Sequence, residues 1–209
     1  MAIKVIDLIR KRRSIRHFKK DFVRPEAIKV ILDAGRWAPS SNNSQPWEFV
    51  VVSEDEEKIP MAELYVDAYR KEAEDLLFRE DAEELFDDPF KVKKRILGMM
   101  DMLRHQILDP PYIIVVCCDP KKSRSYLLES GASIQNMMLT AWDLNLGSCC
   151  IELATTLLSE YFDMKKLKYL LGIPEDIVVV ALIPVGKIDK MPYKPERNIL
   201  KDFHHTEFW

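Results

Sequence analysis

Three guanidinium groups fall within five residues at Arg12, Arg13 and Arg16, with the hydroxyl of Ser14 between them. Farther along, Pro39-Ser40-Ser41-Asn42-Asn43-Ser44-Gln45 sets hydroxyls and amides side by side, directly before Pro46 and Trp47. A guanidinium presents paired N–H donors that grip a phosphate through charged hydrogen bonds. Amides donate and accept at once, which suits a sugar-like chain or the edge of a flat heterocycle. Together the two segments describe a pocket for a ligand with a phosphate at one end and a hydrogen-bonding ring at the other. Each also has a simpler explanation. Arginine is favoured at a helix C-terminus by the helix dipole alone, and Ser and Asn in loops bond their own backbone. What argues for a built site is the abrupt junction of the polar run with Trp47-Glu48-Phe49-Val50-Val51-Val52, a strand that would hold the loop rigid.

The composition narrows the possibilities. The chain has 209 residues, 47% hydrophobic and 31% charged, the balance of a globular protein with a sizeable core. A formal net charge of -3 gives no general attraction to nucleic acid, so the arginine cluster needs a local explanation. No run approaches the roughly 20 apolar residues of a membrane-crossing helix. The stretch Met1-Ala2-Ile3-Lys4-Val5-Ile6-Asp7 lacks the apolar core of a secretion signal, so a cytoplasmic protein is expected. Cys117-Cys118 and Cys149-Cys150 are adjacent pairs without zinc-site spacing, and free, mostly buried thiols fit a reducing compartment; a link between the pairs stays open. His17, His105, His204 and His205 form no His-Glu-x-x-His pattern, and no Ser-His-Asp set competes, so neither a metal nor a side-chain nucleophile is expected.

The elements that must position these residues follow from periodicity. Residues 3–12 read as a short helix ending at the arginines, and Pro25 opens a second helix that runs toward Trp37 and is closed by Pro39. After the strand at 47–52 comes a charge-rich stretch, about 57–107, that reads as two or three helices broken at Asp88-Pro89, an excursion over the core. Pro111 to Cys117 is an uninterrupted apolar run, a strand covered on both faces. Residues 124–146 form the longest helix, apolar nearly all round, and therefore buried in its own core or in a partner. A last strand is expected at Ile177–Ile183, ending near Pro184-Val185-Gly186. Helices first, then strands with long helical connections, give an α/β or α+β sheet layered with helices, in one domain over 1–209.

Arg12-Arg13-Ser14-Ile15-Arg16, Ala38 through Trp47, and Leu146-Gly147-Ser148-Cys149-Cys150-Ile151 resemble, in order and spacing, the three signature segments of the nitroreductase family. The Ser-Ser-x-Asn-x-Gln-Pro-Trp string carries that similarity, which spans nearly the whole chain. The resemblance implies an α+β fold of three layers, with a mostly antiparallel central sheet between helices. It implies a homodimer with FMN at the subunit interface, oxidising NADH or NADPH and reducing a small-molecule electron acceptor such as a nitroaromatic or a quinone. The implied reaction is ping-pong: hydride passes from the nicotinamide to N5 of FMN, and the acceptor then occupies the same face.

By position, Arg12, Arg13, Ser14 and Arg16 resemble the residues that grip the phosphate, ribityl chain and pyrimidine edge. Pro39, Ser40, Ser41, Asn43 and Gln45 would come from the other subunit, and the backbone of Cys150, Ile151 and Glu152 would pass N5 and O4. Lys194, with Arg197 in reserve, would complete the phosphate site. Glu152 could instead cap a helix. Two departures stand out: the 57–107 stretch has no asparagine for the family's usual pyrimidine contact, and Tyr193 stands where many relatives have an arginine. Reductive dehalogenation, flavin cleavage and non-catalytic flavin binding are the alternatives.

Overall fold

The computed structural model describes residues 5–78 and 88–209. Along the chain run α1 (Val5–Lys11), β1 (Phe18–Lys19), α2 (Pro25–Arg36), β2 (Trp47–Val52), α3 (Asp55–Phe78) and α4 (Pro89–Leu108). There follow β3 (Tyr112–Cys118), α5 (Tyr126–Asp143), β4 (Gly147–Ser148), β5 (Ile151–Glu152), α6 (Leu158–Tyr161), α7 (Met164–Leu171) and β6 (Val178–Ile188). The strands make one antiparallel sheet in the order β1-β6-β3-β2, with β4 and β5 also paired to β6.

Side-chain alternation along β3 divides the core in two. Ile113, Val115 and Cys117 pack with Met61, Leu64, Ile107 and Leu167 from α3, α4 and α7. Ile114, Val116 and Cys118 point the other way, onto Ile28 and Ile31 of α2 and Ile134 and Met137 of α5. Successive residues of a strand face opposite sides, so a strand covered on both faces reads as a continuous apolar run. This is the three-layer α+β arrangement that the resemblance implied. The four cysteines are free thiols, with Cys117, Cys118 and Cys149 buried. Burial pushes the Cys117 thiol up to about 12, with the neighbouring Cys118 acting in the same sense.

Irregularities in β6 shape the floor of the site. Val116 faces Ala181 while Cys117 faces Val179, so Val180 is the extra residue of a β-bulge. Its carbonyl accepts the Leu153 N–H at 2.8 Å, which ties down the end of β5. β4 and β5 share one register on β6, interrupted at Cys149 and Cys150, which fall opposite Pro184 and Ile183 respectively. Proline has no N–H to offer a ladder. The strand expected to end near Pro184 therefore continues to Ile188, because the missing donor falls where the neighbouring ladder is interrupted.

The excursion is two long helices among the described residues; 79–87 lie outside them. Asp88 caps α4 by accepting from the Lys91 N–H at 3.0 Å, and Pro89 occupies the first turn. At the other end of α4, the buried Lys58 sends Nζ toward the carbonyls of Leu108 and Pro110 at 3.5 and 3.4 Å, and pairs with Asp55 at 3.0 Å. A cation against the last carbonyls suits the helix dipole and anchors the end of α4 that carries Gln106.

Candidate functional site

α1 delivers the arginines. Its last turn closes with Arg12 N–H on the Leu8 carbonyl at 2.9 Å, after which the chain extends alongside β4, where Ile15 N–H donates to Ser148 at 2.9 Å. Ile15 is fully buried, and a Cβ added to Gly147 would lie 2.8 Å from it. Only glycine lets the two backbones approach this closely. The third signature segment thus positions the first.

Arg12 and Arg13 face a cavity of about 710 Å³ that also receives Arg10, Lys11, Lys194 and Arg197, with Asp7 the one carboxylate among its lining residues. Lys194 and the reserve residue Arg197 are both there, whereas Tyr193 is 93% exposed. Arg13 bends back so that Nη1 donates to the Arg10 and Arg12 carbonyls at 2.8 and 2.7 Å, capping the helix as the simpler explanation anticipated. Arg12 differs: it is half-buried, and its Nη1 is buried without a partner. Burial lowers its pKa, and the nearby charges of Arg13 and Arg197 act in the same direction. A cluster of this kind fits a phosphate, which would supply the missing acceptors.

Arg16 lies beyond, on a second cavity of about 340 Å³. Cys149, Cys150, Ile151 and Glu152 form one side, while Tyr65, Tyr69 and Glu72 of α3 and Gln106 of α4 come from the excursion. Ser14 and Arg16 also border a smaller hollow of about 180 Å³ against Lys190–Pro192. The 12–16 segment thus carries residues facing all three spaces. Glu152 spends its carboxylate on the N–H groups of Ala154, Thr155 and Thr156 at 2.8, 2.9 and 2.9 Å. Its side chain caps the 154–156 turn, which is not helical, so the alternative of a helix cap holds only in kind; the cap fixes the strand that borders the cavity. Burial raises the Cys150 thiol to about 11, aided by Cys149 and Glu152, so it is a neutral wall at physiological pH.

The Pro39–Gln45 loop sits elsewhere. Pro39, Ser40 and Ser41 border a cavity of about 730 Å³ with Leu127, Leu128 and Gly131 of α5, and no residue is shared with the arginine cavity. Within this chain the two groups do not meet. Asn42, Asn43 and Gln45 all have positive φ, at 52°, 56° and 46°, conformations that cost non-glycine residues energy unless the surroundings enforce them. The enforcement is visible: Ser40 Oγ accepts from Gln45 N–H at 3.0 Å, and the Glu129 carboxylate takes the Ser41 N–H at 2.8 Å and the Ser123 hydroxyl at 2.9 Å. Asn43 and Gln45 remain exposed.

The sequence reading named neither the acid that holds this loop nor the excursion residues on the second cavity. Gln106 is 1% exposed with Oε1 unpartnered, a polar residue set beside the buried Leu103 and Ile107. That misplaced polarity in an apolar stripe was the available signal. Tyr65 and Tyr69 meet edge to face at 5.1 Å and 87°. Burial raises the Tyr65 hydroxyl pKa, with Tyr69 adding to it, so Tyr65 stays protonated.

Comparison with known proteins shows the family and the fold. The nitroreductase family matches residues 9–187. A protein of Archaeoglobus fulgidus, provisionally named an NADH dehydrogenase/NAD(P)H nitroreductase, is 30% identical over 98% of this chain and 98% of its own. A nitrobenzene nitroreductase of Ectopseudomonas oleovorans is 29% identical over 93% of this chain and 91% of its own. Among solved structures, an oxidised iodotyrosine deiodinase bound to FMN and 3-iodo-L-tyrosine shares the fold, with a TM-score of 0.74 at 23% identity over 94% of this chain and 96% of that one.

Proposed function

Because this chain belongs to the nitroreductase family, we propose that it is an FMN-dependent oxidoreductase passing electrons from NADH or NADPH to a nitroaromatic, a quinone or a similar acceptor. One observation carries the reading. A cavity ringed by six cations, with an unpartnered buried Arg12 Nη1, is joined through residues 12–16 to a second cavity walled by aromatic rings.

In this reading Arg12, Arg13, Lys194 and Arg197 hold the phosphate, and Ser14 and Arg16 hold the ribityl chain and the pyrimidine edge. The backbone of Cys150, Ile151 and Glu152 runs along the N5 side of the ring, kept in place by the Glu152 cap and the Val180 bulge. Gln106 takes the pyrimidine contact for which the sequence offered no asparagine, since its buried Oε1 needs a donor. When bound, FMN supplies the hydride chemistry, which no side chain here provides. Tyr65 and Tyr69, which line the same cavity, would shield the ring from water and border the slot for a flat substrate.

The unit that acts is a homodimer of one-domain subunits, each spanning 1–209. Pro39, Ser40, Ser41, Asn43 and Gln45 would reach the ribityl chain and ring of the partner, which fits their distance from the arginines of their own protomer. Free thiols and the absence, among the described residues, of any helix long and apolar enough to cross a membrane fit a cytoplasmic enzyme.

The test is anaerobic. Purified protein loaded with FMN is mixed with NADH or NADPH, then with nitrobenzene, a quinone or a halogenated phenol. The yellow absorbance should bleach with at least one nicotinamide and return with an acceptor. A holoprotein that neither nicotinamide bleaches would be a flavin-binding protein and not this enzyme.

A further inference from the structure

We propose that Glu72 sorts acceptors by charge, so that the second cavity favours a flat aromatic acceptor bearing a cationic substituent and disfavours one bearing a carboxylate. This rests on the oxidoreductase reading and adds the substrate class to it.

Among the described residues, three charged side chains line the cavity: Arg16, Glu72 and Glu152. Arg16 also borders the hollow beside Ser14 and is assigned to the cofactor. The Glu152 carboxylate is held by three backbone donors and cannot turn toward a substrate. Among the described residues, Glu72 has no such engagement. Burial raises its pKa.

Further acidic groups lie near Glu72. Tyr161 of α6 bonds Asp75 of α3 at 2.5 Å, and its hydroxyl is pushed up to about 12 by that bond, with Glu160 and Glu72 acting in the same sense. A second observation does not depend on these acids. Tyr65 and Tyr69 add aromatic rings, which suit a flat ring and a cation above it. A cationic substituent would pair with a carboxylate that is half-buried and, among the described residues, unmatched, whereas a carboxylate would meet like charge in a confined space.

The experiment uses the FMN-loaded protein with 4-nitrobenzyltrimethylammonium and 4-nitrobenzoate as acceptors. Each turnover takes a hydride from the dihydronicotinamide and a proton from solvent, converting the nitro group to nitroso and releasing water. The ratio of kcat/KM, cation over anion, should fall by about fivefold or more in Glu72→Gln and invert in Glu72→Lys. Comparing ratios between wild type and variant cancels the acceptors' own reduction potentials. The non-reducible pair benzyltrimethylammonium and benzoate, titrated against the visible absorbance of the holoprotein, should show the same shift in relative affinity. A ratio that does not move in Glu72→Gln overturns the proposal, even if both acceptors turn over well. A protein that takes up no FMN, or reduces neither acceptor, overturns the oxidoreductase reading beneath it, so the two failures are distinct.

Discussion

The guanidinium of Arg12 is held at the end of α1 with Nη1 buried and unpartnered, beside the like charges of Arg13 and Arg197. A buried donor without an acceptor costs stability, as does crowding of like charge. The free protein therefore gains little from Arg12, and a bound anion gains much. Arg12→Ala should leave the denaturation midpoint of the FMN-free protein unchanged or slightly raised. It should weaken FMN binding by about 10- to 100-fold, the worth of a hydrogen bond to a charged group. Quenching of flavin fluorescence on titration reads the affinity. Arg12→Lys should fall between, since a point charge lacks the paired fork. A variant that loses stability while keeping its affinity would reassign Arg12 to structure. Arg13 would give a weaker response, because part of its guanidinium already serves the helix end.

At the scale of elements, the site depends on close backbone approaches that side chains would spoil. Gly147→Ala would push a Cβ to 2.8 Å from Ile15. Overpacking of this kind costs about 1–3 kcal/mol, and the shift would fall on the segment that carries Arg12 to Arg16. Urea unfolding and FMN titration should both show the loss; unchanged affinity would mean that the segment is not part of the site.

The Glu129 carboxylate does the corresponding work for the Pro39–Gln45 loop. Burial raises its pKa, but the hydrogen bonds from Ser41 and Ser123 outweigh that and hold it below 4.5. A depressed carboxylate contributes stability above its unfolded value that is lost as pH falls through the folded one. Wild-type protein should therefore lose part of its stability below about pH 4.5, and Glu129→Gln should lose less over that window. Equal acid sensitivity of the two proteins, read by denaturant midpoints, would remove Glu129 from this role.

These elements also explain what the sequence made legible. Long apolar runs such as 112–118 and the helix boundaries marked by Pro25 and Asp88-Pro89 stood out, because burial and capping leave local patterns. β1, β4 and β5 are two residues each, too short for any periodicity, and exist only because β6 offers a long edge. The arginines and the loop were readable from residue type and spacing. Tyr65, Tyr69 and Glu72 were not, since on a long helix the face toward a cavity has the same spacing as the face toward a core.

The molecule as a whole has an asymmetry that a single chain does not resolve. The arginine cavity and the rigid loop are each well formed, yet they lie apart, and the loop sits beside an apolar stretch of α5 where Leu128 is 79% exposed. Exposed apolar surface next to a strained polar loop is the mark of an interaction surface. If a second copy covers that face and brings its loop to the arginines, then cofactor binding and assembly are one equilibrium, and each must strengthen the other. Ala132→Arg would place a charge on that face while leaving the inward Ile134 and Met137 untouched. The variant should keep its circular dichroism, sediment as a monomer, and release FMN on a desalting column that wild type passes with flavin bound. Wild type itself should bind FMN less tightly when diluted below its dimerisation constant. A monomeric variant that keeps FMN at wild-type affinity would confine the cofactor site to residues of a single chain, and the strain in the Pro39–Gln45 loop would then need another purpose.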